Sequence, residues 1–124
     1  MEEFVEGIVK KFEDLIVWKE SMNLTVDLYK NLTNCKDFGF RDQIQRSAVS
    51  VPSNIAEGFE RNSNKEFIQF LYIAKASCAE LRTQLYLGME IEILDKSESK
   101  ELIEKTKKIS AMLYRLIQTR KKNF

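Results

Sequence analysis

Apolar residues return at intervals of three and four along most of this chain, the period of a helix with one buried face. In the first segment, residues 14–34, the predicted seam is Leu15, Trp18, Met22, Thr25, Tyr29 and Leu32. An acidic and aromatic lead over residues 4–12 precedes it, forming a separate helical turn or staying frayed. Asn34-Cys-Lys-Asp-Phe-Gly39 is the first connector, with Gly39 suited to a turn. The second segment, residues 41–60, turns Ile44, Ala48, Val51, Ile55 and Phe59 inward. The third, residues 64–93, opens on Ser63-Asn-Lys-Glu66, a capping box in which the hydroxyl accepts from the Glu66 amide and the carboxylate reaches back. Its stripe is Phe67, Phe70, Leu71, Ala74, Cys78, Leu81 and Leu85. The fourth, residues 98–121, is capped by Asp95 or Ser97 and buries Leu102, Thr106, Ile109, Leu113 and Leu116.

Four such segments on short connectors predict an all-α fold, an antiparallel up-down-up-down four-helix bundle in a single domain over residues 1–124. The single proline, Pro52, falls inside the second segment. Proline removes a backbone donor and clashes with the preceding turn, so this helix is predicted to be kinked and held by packing. Ser47, Ser50, Ser53 and Asn54 are suited to satisfy the carbonyls that the proline frees. Ile16, Leu24, Leu28, Ile68, Tyr72, Tyr86, Leu87 and Met112 are apolar but lie off the narrowest stripes. A contiguous remainder of that kind usually meets a partner, so self-association is expected.

Composition narrows the function classes. With 44% hydrophobic and 31% charged residues in 124, the chain reads as an ordinary soluble domain that needs no staple. Cys35 and Cys78 stand far apart and belong to no CxxC pair, which suits reduced thiols. The chain begins on an acidic rather than a basic stretch, and no run nears the roughly 18 apolar residues that span a bilayer. A cytoplasmic protein with no membrane partner is therefore expected. Histidine is absent, which removes the commonest general base and metal ligand. Glu57, Glu66 and Glu80 read as caps, boundary residues or ion-pair partners. Neither catalysis, a metal nor a cofactor is expected.

Charge is unevenly spread despite a net +1. Acids outnumber bases in the first thirty residues, and none follows Glu104. Lys108, Arg115 and Lys122 recur at seven-residue spacing, and Lys107, Tyr114 and Lys121 form an adjoining row about 100° around the helix. A cationic strip with an aromatic suits a phosphate backbone, while cations at a helix C-terminus also complement its dipole. The candidate nucleic-acid contacts are Arg41, Arg46, Lys107, Lys108, Arg115, Arg120, Lys121 and Lys122.

Three runs carry a resemblance: Phe12 to Lys19, Arg41 to Phe59 with its Val-Pro-Ser-Asn-Ile-Ala-Glu-Gly core, and Glu66 to Leu81. They resemble the bacterial four-helix bundle proteins encoded in 23S rRNA intervening sequences, over about residues 12–120. The resemblance implies a ring-shaped homopentamer and kinship with the accessory variability protein of diversity-generating retroelements, which binds nucleic acid and a reverse transcriptase. Pro52, Asn54, Glu57 and Gly58 match the most specific run and are expected to be structural. The retroelement relative is strongly basic, whereas this chain is near neutral, so weaker phosphate attraction is expected. The favoured expectation is a non-enzymatic oligomeric scaffold that binds structured RNA or a ribonucleoprotein. The alternative is a protein-interaction adaptor that does not touch nucleic acid.

Overall fold

The computed structural model describes residues 9–124. After a 3-10 turn at Phe12–Asp14 come four helices: α1 (Ile16–Asn31), α2 (Phe38–Phe59), α3 (Asn64–Glu90) and α4 (Lys96–Asn123). No strand occurs among the described residues. Of the lead expected over residues 4–12, residues 9–12 are described and run into the 3-10 turn, and residues 4–8 lie outside the described residues.

Helix starts follow side-chain chemistry. Asp37 accepts from the Phe40 amide at 3.1 Å, Ser63 from Glu66 at 3.1 Å and Asp95 from Glu98 at 2.9 Å. Each cap contributes about 1 kcal/mol by satisfying an orphan donor. The Asp37 cap starts α2 three residues before the expected Arg41 and draws Gly39 into the helix rather than the turn. The capping box is only half as expected, because the Glu66 carboxylate accepts from the Ser63 hydroxyl, at 3.2 Å, rather than from the Ser63 amide. At the far end of α3, Glu92 adopts φ 61°, and the Gly88 carbonyl accepts from the Ile93 and Leu94 amides. That reversal stops the helix three residues short of the expected Ile93.

The core joins stripes from all four helices. Ile44, Ala48, Val51 and Ile55 of α2 meet Leu71, Ala74, Cys78, Leu81 and Leu85 of α3. Leu102, Ile109, Met112, Leu113 and Leu116 close it from α4. The α1 stripe differs from the expected one. Val17, Ser21, Leu24 and Leu28 are buried, with Leu15 and Leu32 at the ends, whereas Met22 and Tyr29 are exposed and Trp18 and Thr25 half-buried. Leu24, Leu28 and Met112, set aside as surplus, belong to the core. The most extensive interfaces are α2 with α3 and α3 with α4, so α3 is the shared wall.

Pro52 is buried in the middle of α2. Its missing N–H leaves the Ala48 carbonyl without the usual donor. Thr25 of α1 stands in for part of it: its single hydroxyl proton is shared between that oxygen, at 3.2 Å, and the Ser21 carbonyl, at 2.8 Å. The nearby polar residues act elsewhere. Asn54 donates to the Ser50 carbonyl at 2.8 Å, Ser47 to Gln43, and Ser50 shares a 2.8 Å bond with Ser77 of α3. Near the end of α2, a Cβ on Gly58 would stand 2.5 Å from the Cβ of Phe70.

Two predictions follow from this packing. Gly58→Ala should destabilise by about 1–3 kcal/mol through overpacking, despite the helix propensity it gains. Gly39→Ala, whose Cβ would meet only Asp37 Oδ1 at 3.8 Å, should be neutral or stabilising by up to about 1 kcal/mol. Urea titration of both variants reads the contrast. Thr25→Val should cost about 1–3 kcal/mol, since it leaves a buried carbonyl unpaired. In a Pro52→Ala background, where residue 52 regains its N–H, the same change should cost less than about 0.5 kcal/mol. A double-mutant cycle with no coupling would separate Thr25 from Pro52.

Candidate nucleic-acid interface

The eight cations expected to contact nucleic acid do not form one surface. Phe40 packs beside Gly88 near the end of α3, while Asn64 at the start of α3 meets Arg120 near the end of α4. Arg41 and Arg46 therefore sit at the opposite end of the bundle from Lys121 and Lys122. They also lie on α2, which has no substantial interface with α4. Arg41 stacks 4.7 Å above the Phe38 ring, and Arg46 pairs with Asp42 at 3.3 Å.

The two rows on α4 part company. Lys108 reaches across to α1 and pairs with Glu20 at 3.3 Å, one step from the Lys105–Asp27 pair. The acid-rich start of the chain thus offsets the charge of this flank, although exposed pairs add little stability. Arg115 and Lys122, further along the row, are exposed and make no ion pair among the described residues.

The Lys107, Tyr114 and Lys121 row faces α3 instead. Lys121 Nζ donates to Tyr72 Oη at 2.7 Å and lies 5.2 Å from the centre of that ring. Lys107 also pairs with Glu104, at 3.2 Å. Lys75 and Arg82 flank Cys78 on the same side of α3, and both are half-buried. The Cys78 thiol donates to the Thr106 carbonyl of α4 at 3.2 Å. Burial pushes this thiol up to about 11, against the opposing pull of Arg82 and Lys75. Cys78 is thus an inert core residue, and the two cations that act on it line the α3–α4 flank.

Arg120 has a different part. It donates to Asn64 Oδ1 at 3.1 Å, while Asn64 returns a bond to the Arg120 carbonyl at 3.1 Å. Its guanidinium lies 4.7 Å from the Phe67 ring centre and 4.2 Å from that of Phe124. This pins the end of α4 to the start of α3. Of the residues expected to be structural, Asn54 holds Ser50, Glu57 pairs with Arg61 at 3.0 Å and Gly58 admits Phe70.

Sequence reasoning missed Tyr72, Lys75 and Arg82 as members of this surface. The seven-residue step from Lys75 to Arg82 was visible, but only the contact of Cys78 with Thr106 of α4 places it on this flank.

A second surface lies on the other side. Phe12, Trp18, Met22, Thr25 and Tyr29 face Val49, Pro52, Ser53 and Ala56 across an open, almost wholly apolar groove of ≈ 490 Å³. Phe12 meets Trp18 edge-on at 5.3 Å. The groove is built from the α1 stripe that the core leaves out.

Among the described residues, no three His, Cys, Asp or Glu side chains gather to hold a metal ion. No described helix is long and apolar enough to cross a membrane.

The family model for 23S rRNA-intervening sequence protein matches residues 13–115. The chain belongs to that family. A crystal structure from Bacteroides thetaiotaomicron VPI-5482, of a protein with unknown function from the S23 ribosomal protein family, superposes with a TM-score of 0.78. The two are 27% identical, and the match covers 83% of this chain and 99% of that one. No curated protein matches the chain significantly. The matched residues run from within the Phe12–Asp14 turn into α4.

Proposed function

We propose that this protein is a non-enzymatic, oligomeric helical scaffold that binds structured RNA through the α3–α4 flank. The observation that carries the reading is the α4 row Lys107, Tyr114 and Lys121, joined to α3 where Lys121 meets Tyr72, with Lys75 and Arg82 flanking Cys78, whose thiol bonds α4. Cations spaced along a helix flank attract the phosphate backbone without selecting sequence, and neighbouring rings add stacking. Arg115 and Lys122 extend the positive potential round the outer side of α4. Arg41 and Arg46, at the other end, join the same RNA only across a neighbouring subunit or a long target.

Affinity for a structured RNA should fall steeply with salt. Lys107→Glu combined with Lys121→Glu should reduce the slope of log K against log salt by about 2. An unchanged slope would remove this flank from the interface.

The α1–α2 groove supports the oligomeric half of the reading. Met22 and Tyr29 are 38% and 44% exposed, and a second copy covering them would bury apolar surface at about 25 cal/mol per Å². Met22→Glu should lower the assembly to single chains in light scattering while leaving helix content unchanged. An unaltered mass would place the contact elsewhere. The same groove also suits an adaptor for another protein, and that reading gains if the same partners are captured after nuclease treatment.

A further inference from the structure

Tyr114 is left unexplained by the fold. Its ring is 55% exposed, and it makes neither a hydrogen bond nor a ring contact among the described residues. Tyr72, on the neighbouring helix, is 46% exposed and has Lys121 against its ring and hydroxyl. A rise of 1.5 Å per residue sets Lys107, Tyr114 and Lys121 about 10 Å apart along α4, so cation and ring alternate.

Cations alone are enough to hold an A-form duplex, which is recognised mostly by shape and by its phosphates and 2′-hydroxyls. Its bases are stacked on one another and present no free face to a flat exposed ring. An unpaired strand does, and aromatic side chains between cations are the recurrent platform for it.

We infer that the α3–α4 flank takes unpaired nucleotides, such as the loops or single-stranded ends of a structured RNA. A base stacks on Tyr114, and the adjoining phosphates lie against Lys107, Arg82 and Lys121. Tyr72, held by Lys121, offers the second ring. This assignment rests on the RNA-binding reading above and narrows it to one class of RNA.

The test uses a 12-nucleotide RNA, single-stranded or annealed to its complement, with binding followed by fluorescence anisotropy near 100 mM salt. The single strand should bind about tenfold more tightly than the duplex. Tyr114→Leu should weaken single-strand binding by about 5- to 100-fold, leave duplex binding unchanged, and be rescued by Tyr114→Phe. Equal affinity for both RNAs, or an equal loss on both, would overturn the inference while leaving the RNA-binding reading intact. No binding to either RNA at about 50 mM salt would remove both. A Tyr114→Leu variant that changes the assembly mass but not RNA affinity would assign the ring to a protein contact and overturn the inference.

Discussion

A helix with a proline at its centre cannot support itself, and α2 is such a helix. The missing amide of Pro52 and the clash of its ring cost about 3 kcal/mol in an isolated helix interior. Here the neighbours supply what the backbone lacks. Thr25 of α1 shares its hydroxyl proton with the Ala48 carbonyl, and the Ser50–Ser77 bond ties the helix to α3. Gly58 lets the end of α2 approach Phe70 directly. With α2 fixed to α3, and α3 fixed to α4 by Asn64, Arg120 and the Cys78–Thr106 bond, α3 becomes the wall about which the bundle is arranged.

That arrangement divides the outer surface into regions of different chemistry. Between α1 and α2 it is apolar and open, around Pro52. Between α1 and α4, Glu20 and Asp27 meet Lys108 and Lys105, so the fields of opposite charges cancel locally. Between α3 and α4, Lys107 pairs with Glu104, and two tyrosine rings are exposed. A chain of net charge +1 can therefore present a positive flank, because Glu20 and Asp27 are paired between α1 and α4.

Much of this was legible in the sequence. The four helices, the inward faces of α3 and α4 and the Ser63 cap follow from periodicity and capping chemistry. The α1 face did not, for a physical reason. Trp18, Met22, Thr25 and Tyr29 recur at spacings of three and four, and so do Val17, Ser21, Leu24 and Leu28, about 100° away. Both are credible stripes, and larger aromatic side chains favoured the wrong one. Only the packing of α1 against α2 and α4 decides between them, and the stripe left out lines the groove. The α4 rows were legible as rows, but not their partners. Glu20 lies 88 residues from Lys108 and Tyr72 lies 49 from Lys121, separations that no local pattern reports.

We propose that RNA lies across α3 and α4. Ultraviolet cross-linking of the protein to a structured RNA, with the linked peptides identified by mass spectrometry, tests it most directly. Adducts at Tyr114 and Tyr72 are the predicted result. Adducts confined to Trp18 and Tyr29 in the α1–α2 groove, or none on any residue under conditions of saturated binding, would contradict it.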